Sequence, residues 1–294
     1  MTPSVRDRLA NRINNVRFRC RVPLERAGLR HGVLPDFLVI GAMKAGTTMF
    51  YEWLVTHPNV LPAAVKEVHF FDSHFPEAQP WYRAHLPTAR QYRRRAKRLG
   101  GRVVTGEASP TYLFHPLAPR RVRWVVPQVK LIVLLRDPVN RAYSHYQTGI
   151  RHDWEALSFE AALDREEQRL DGQIDALLMD ERHHRSFPRY RWSYQAMGRY
   201  AEQLEAWFAH FPREQFLFVD NKDFDRDPDA VYRRVYDFLD IPYHPLPEKK
   251  RRVVGRYDPM DPKTRQRLEQ YFAPHNRRLA DLLDLELEWD SQAP

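Results

Sequence analysis

The chain alternates between short, largely apolar runs and longer segments in which apolar side chains return every three or four positions. The first apolar run is 36-DFLVIGA-42. It is apolar at successive positions, the pattern of a parallel strand covered on both faces. Runs at 102-RVVTGEA-108, 129-VKLIVLLRD-137 and 215-QFLFVD-220 predict three further strands. Between them the period is helical. In "TTMFYEWLVTHP", Phe50, Trp53 and Leu54 fall at i, i+3 and i+4, and His57-Pro58 ends the segment. In 199-RYAEQLEAWFAHF-211, Tyr200, Leu204, Trp207, Phe208 and Phe211 share one face. Two more helices open on Asp-Pro pairs. Asp227-Pro228 leads into Val231, Val235, Phe238 and Leu239, and Asp261-Pro262 into Leu268, Tyr271 and Phe272. Strands alternating with helices predict an α/β fold around a central parallel sheet.

Neither repeats nor a low-complexity linker interrupt this pattern, so residues 35–294 read as one domain preceded by a basic arm, residues 1–34. At 294 residues the chain is long enough to bury a substantial core. Hydrophobic residues at 43% and charged residues at 29% fit a soluble globular protein. No apolar run approaches a membrane span, and the N-terminus carries no apolar signal core. Cys20 is the only cysteine, which excludes an internal disulfide and suggests a reducing, cytoplasmic setting. The net charge of +9 favours anionic partners, or simply keeps the protein dispersed. Among such partners, nucleic acid has no zinc-finger spacing, aromatic RNA-binding strand or sustained basic helix to support it. The basic arm leaves peripheral contact with a membrane open. Residues 148–198 stand apart as a polar excursion rich in Arg, His and Trp. Its "HHRSFPRYRWSY" (183–194) is either an exposed helical segment or part of an acceptor cleft.

Candidate chemistry begins after the first strand. In 41-GAMKAGTT-48, Gly41 and Gly46 have the separation of a nucleotide-triphosphate loop, but Thr47 stands where that loop has its lysine. Lys44 lies inside the loop instead, able to reach a phosphate and the bridging oxygen beside it. Backbone N–H groups around Ala45, Gly46, Thr47 and Thr48 at a helix start can hold a phosphate, with both threonine hydroxyls as further donors. A second element, 131-LIVLLRDPVNRAYSHYQ-147, ends a buried strand in Arg136 and carries Ser144 one to two turns into the next helix. Both could meet one phosphate in the crevice at the strand ends, although an Arg–Asp pair shaping a turn is the plainer alternative. A third element, 66-KEVHFFD-72, embeds Glu67 and His69 among aromatics. There a carboxylate pKa can rise and serve as a base, or Glu67 simply pairs with Lys66.

In this order and spacing, the segments resemble the sulfotransferase superfamily, in particular its heparan sulfate and glycan branch with bacterial relatives. The resemblance runs from about Asp36 to Trp289 and includes "FLVIGAMKAGTT", "HPNVLPAAVKEVHFFD", "WYRAHLP", "GEASPTYLFHP" and "FLFVDNKDF". It implies a three-layer P-loop-like fold binding 3′-phosphoadenosine 5′-phosphosulfate (PAPS), with no metal required. By the same resemblance, Lys44 to Thr48 hold the phosphosulfate and Lys44 also neutralises the bridging oxygen. Arg136 and Ser144 hold the 3′-phosphate. Glu67 is the base that deprotonates an acceptor hydroxyl, with His69 lining the cleft, and Gly255 and Arg256 close over the nucleotide. The acceptor so implied is a glycan, a glycolipid or a secondary metabolite. Two departures stand out. Ala108 replaces a lysine of the family pattern, a charge that Lys66 could supply, and Val254 replaces another lysine before Gly255. A nucleotide kinase and a non-catalytic anion- or nucleic-acid-binding module are the competing expectations.

Overall fold

The computed structural model describes residues 21–179, 189–247, 257–287 and 289. Five strands form one sheet: β1 (Phe37–Gly41), β2 (Val60–Pro62), β3 (Val104–Ala108), β4 (Lys130–Leu135) and β5 (Phe216–Asp220). Their order is β2-β3-β1-β4-β5, and every neighbouring pair is parallel. All residues of β1 and β3 are buried, as are all but the first of β4. Successive side chains point to opposite faces, so both faces are covered by helices. The first strand lies in the middle of the sheet and the order reverses beside it, the position at which open α/β sheets bind ligands beyond the strands' carboxyl ends.

The helices that shape the site and its surroundings are α1 (Thr47–Leu54), α2 (Ala89–Leu99), α3 (Ala118–Val125), α4 (Pro138–Arg151), α5 (Tyr200–Phe208), α6 (Pro228–Leu239) and α7 (Pro262–Leu283). The Asp-Pro pairs act as expected. Asp227 accepts from Ala230 N at 3.0 Å, Asp261 accepts from Lys263 N at 2.9 Å, and Asp137 caps α4 by accepting from Val139 N at 2.9 Å. Helix α1 is fixed by its aromatic face. Phe50 stacks on Tyr232 of α6 at 5.3 Å, and the Tyr232 hydroxyl donates to Phe50 O at 2.5 Å. The Tyr51 hydroxyl donates to Gly106 O at 2.9 Å and accepts from Ala63 N, tying α1 to β3 and to the segment after β2. Across the core, the indole of Trp207 in α5 donates to Leu113 O at 3.2 Å.

Three elements were not legible in the pattern. Strand β2 is only three residues long and includes Pro62, tolerable because it is an edge strand. Helix α2 is dominated by arginine and lacks an apolar stripe, and α3 is too short for its Ala118, Val122 and Val125 to stand out among three arginines. The described part of residues 148–198 is less exposed than its polarity suggests. Phe159, Ala162, Leu163 and Tyr194 form a second apolar cluster with Val139 and Ala142 of α4 and Leu268 and Phe272 of α7.

The register of β1 on β3 depends on Gly106, which pairs with Phe37. A Cβ there would meet Phe37 O at 2.3 Å and the Phe37 ring at 2.6 Å. Gly106→Ala is therefore expected to cost about 1–3 kcal/mol or more, read as a lowered urea midpoint. Undiminished stability would contradict so close an approach of the two strands.

Candidate active site

The loop between β1 and α1 leaves donors without partners. Helix α1 begins after Gly46, which provides no side-chain cap, so the first N–H groups of the helix have no intrahelical acceptor. Gly46 has φ 94°, a left-handed conformation, and the Asn221 amide beyond β5 braces the loop by donating to Ala45 O at 3.2 Å. Lys44 is also left-handed, at φ 72°. Its side chain is half-buried, and its pKa is lowered to about 8, first by burial and then by Arg151, Arg136 and Arg141. Glu67 is the one carboxylate acting against that shift. This is an electropositive pocket that an anion would relieve.

Arg136, just beyond β4, reaches back to the same loop and donates to Lys44 O at 2.9 Å. Its own carbonyl accepts from the Tyr200 hydroxyl at 2.9 Å. Ser144 is buried in α4, and Arg141, one turn earlier, is wholly buried with its guanidinium on Ser193 O and Tyr194 O. The excursion thus anchors the helix that carries Ser144. Gly255 and Arg256 lie outside the described residues.

Opposite the loop, the segment 66–72 is held by hydrogen bonds to β3 and its extension. Glu67 N donates to Ala108 O at 2.9 Å, and His69 N donates to the Ser109 hydroxyl at 3.0 Å. Ser109 in turn donates to the wholly buried Glu107 at 2.8 Å. Glu67 and His69 are left-handed, at φ 61° and φ 54°. Of the seven non-glycine residues with positive φ among the described residues, three are Lys44, Glu67 and His69. Strain of roughly 1–3 kcal/mol each persists only where surrounding contacts impose it, and it concentrates at working sites.

The electrostatics correct one expectation. Burial would raise the Glu67 carboxyl, but hydrogen bonding to His69 and the Lys66 ammonium bring it down to about 2. The ion pair with Lys66 is present, and the imidazole of His69 lies 3.7 Å from the same carboxylate. Glu67 is therefore ionised at neutral pH. The carboxyl that burial does raise is Glu107, to about 7. Sequence reasoning also missed Asp72. It is 2% exposed and accepts from the His69 ring at 2.9 Å and from the Thr111 hydroxyl at 2.5 Å. Burial alone would lower His69, yet Asp72 and Glu67 hold its pKa up at about 10. The signal was available, since Asp72 follows His69 by three residues in the same aromatic segment.

The loop cations can bind a polyanion, and an ionised carboxylate, Glu67, lies within electrostatic reach of them. Residues 34–270 match the sulfotransferase domain family, and the chain belongs to it. Sulfotransferases take a sulfuryl group from PAPS and pass it to an acceptor, and this chain is such an enzyme. A sulfotransferase structure from Alicyclobacillus acidocaldarius superposes with a TM-score of 0.67 at 30% identity, covering 88% of this chain and all of that one. Among curated relatives, mouse heparan sulfate glucosamine 3-O-sulfotransferase 3B1 is 36% identical over 71% of this chain and 46% of its own length. The membrane-associated sulfotransferase kil1 of Dictyostelium discoideum is 28% identical over 88% of this chain and 67% of its own. The chain thus spans about half the length of the mouse relative.

The carboxylates on His69 generate a prediction. NMR should find the His69 imidazole cationic at pH 8, titrating near 10. Asp72→Asn should move that midpoint down by roughly 1–3 on the pH scale. His69 thus contributes stability that is complete below its unfolded pKa and lost as pH rises through about 10. An unchanged midpoint in Asp72→Asn would remove Asp72 from this role.

Proposed function

We propose that this chain transfers the sulfuryl group of PAPS to a hydroxyl of a glycan, glycolipid or secondary metabolite by in-line displacement, with Glu67 as the base. The observation that carries the reading is the pairing of a cationic loop, Lys44 with Arg136, and an ionised Glu67 within electrostatic reach of Lys44. A P-loop kinase would need an acid directly after β4 to hold its metal, and Arg136 occupies that position. The name of the mouse relative supports a sugar hydroxyl as acceptor.

In this mechanism, the N–H groups and hydroxyls of Thr47 and Thr48, with the loop backbone of Ala45 and Gly46, hold the 5′-phosphosulfate. Arg136 and Ser144 hold the 3′-phosphate. As the acceptor oxygen bonds to sulfur, the bond from sulfur to the phosphate oxygen breaks. Lys44 neutralises the charge growing on that oxygen, and the acceptor proton passes to Glu67. The leaving product is adenosine 3′,5′-bisphosphate. Glu67 is a weak base while Lys66 and His69 stabilise its charge. An acceptor that covers it and draws Lys66 towards an anionic group raises its basicity as the reaction complex forms. In that position Lys66 also supplies the cation that Ala108 lacks. His69, fixed by Asp72, orients Glu67 and lines the acceptor side.

The test is ³⁵S transfer from labelled PAPS to a panel of glycan, glycolipid and phenolic acceptors. Glu67→Gln should lower kcat by roughly 10²–10⁴-fold and leave affinity for adenosine 3′,5′-bisphosphate nearly unchanged. Arg136→Ala should instead weaken that affinity by about 1.5–3 kcal/mol. Full turnover in Glu67→Gln would move the base elsewhere, and unchanged affinity in Arg136→Ala would overturn its assignment.

Lys44 adds a pH signature. An anion binds the protonated lysine, whose pKa in the free protein is about 8. Binding should therefore take up a proton above that pH, and affinity should fall towards about tenfold per pH unit. Lys44→Arg remains charged and should flatten the profile. Calorimetry in buffers of different ionisation enthalpy reads the proton directly, and a flat wild-type profile would contradict the assignment.

A further inference from the structure

Helix α2 is the most cationic element of the fold, and the candidate active site does not use it. Arg90, Arg93, Arg94, Lys97 and Arg98 recur at i, i+3, i+4, i+7 and i+8, which places them along one face about 12 Å long. All five are exposed, whereas Tyr92, Arg95, Ala96 and Leu99 on the opposite face are partly covered by the body of the protein. No Asp or Glu occurs from Ala78 to Gly106. Among the described residues none of the five forms an ion pair, although exposed arginines elsewhere do, such as Arg226 with Asp223 and Arg233 with Asp229. A capping box at Thr88 and Gln91 and a left-handed Gly100 fix both ends of the helix, so the stripe is rigid.

Its position decides what it can serve. The Tyr92 hydroxyl donates to Asp36 and to Val103 O, at the amino ends of β1 and β3. Lys44, Glu67 and Arg136 lie at the carboxyl ends of the same sheet. A ligand on α2 is therefore on the opposite rim from the cleft, and an acceptor seated there would not reach Glu67. The exposed face of α2 carries no aromatic side chain on which a nucleic-acid base could stack. Beside its first turn runs the end of the basic arm. Ala89 N donates to His31 O at 2.8 Å, Val33 N donates to Pro87 O at 2.9 Å, and Gly32 bridges to Thr88. This adjoining segment exposes Leu29 by 76% and Leu24 by 41%. Exposed leucines next to a row of cations with no ion pair among the described residues suit a flat surface that is anionic outside and apolar just beneath.

We propose that α2 and the adjoining segment 24–33 dock this protein on an anionic phospholipid surface, with the catalytic cleft turned away from the bilayer. The row of cations lies over the headgroup phosphates, and Leu24 and Leu29 enter the headgroup boundary. The cleft on the far rim stays open to donor and acceptor.

The experiment is sedimentation of the full chain with phosphatidylcholine vesicles, alone or with 30 mol% phosphatidylglycerol, in about 0.1 M salt. Binding is expected only to the anionic vesicles, and it should weaken as salt rises. Each headgroup-facing cation contributes about fivefold to partitioning, so Arg93→Gln/Arg94→Gln/Lys97→Gln should lower it on the order of a hundredfold. Arg94→Gln alone should lower it about fivefold. A charge-matched control, Arg226→Gln/Arg233→Gln/Arg278→Gln, should change it far less. Affinity for adenosine 3′,5′-bisphosphate, unchanged in each variant, reports an intact fold. Equal losses in the α2 variant and the control would reduce the effect to net charge and overturn the proposal. So would undiminished binding of the α2 variant, or failure of the wild-type chain to bind vesicles while it binds RNA or heparin.

Discussion

Lys44 stands just beyond the central strand with Arg136, Arg141 and Arg151 around it, half out of water and opposed by Glu67. Burying a cation among cations costs free energy, and a fold retains such an arrangement where a ligand relieves it. Much of the surrounding structure serves to hold that charge in place. Asn221 beyond β5 braces the loop, Arg136 bonds the Lys44 carbonyl, and Tyr200 fixes the Arg136 backbone. The buried guanidinium of Arg141 bonds the Ser193 and Tyr194 carbonyls, so α4 and the excursion after it are held together.

The opposite wall uses a different device. The backbone at Glu67 and His69 is strained, and the contacts that impose the strain also set the charges. Ser109, itself bonded to buried Glu107, fixes the backbone of His69, while Asp72 and Thr111 fix its ring. Held this way, the imidazole stays protonated and keeps Glu67 ionised. A carboxylate with so low a pKa gains proton affinity when an acceptor excludes water and takes Lys66 away. With Glu67 as the proposed base, the free enzyme would keep that carboxylate charged and quiescent until the acceptor arrives.

Much of this was legible in the residues. β1, β4 and β5 announced themselves because buried parallel strands are apolar over successive positions, and β3 did so less plainly, with Thr105 and Glu107 inside it. The Asp-Pro pairs marked helix starts because Asp caps and Pro tolerates the first turn. Lys44, Arg136, Glu67 and His69 could be singled out by motif spacing, and the fold places them beyond the carboxyl ends of the strands, with Glu67 electrostatically coupled to Lys44. Asp72 and Glu107 were passed over although their partners His69 and Ser109 are only three and two residues away, because their weight comes from the burial that the fold imposes on them. The direction of the Glu67 shift was misread for a related reason. Aromatic neighbours suggested desolvation, whereas Lys66 and His69 set the charge. Helix α2 carries no apolar stripe, so a pattern search passes over it, and only the fold shows that its cations form one row on the rim opposite the cleft.

The account stands or falls on which anion the cationic loop was shaped to hold. Thermal unfolding with adenosine 3′,5′-bisphosphate, ATP and ATP·Mg²⁺ titrated in parallel compares these ligands on the native protein alone, because a ligand that binds only the folded state raises Tm by mass action. The account predicts the largest rise with the 3′-phosphorylated nucleotide, which offers a second phosphate to Arg136 and Ser144, and no gain from Mg²⁺. A larger rise with ATP·Mg²⁺ would contradict it.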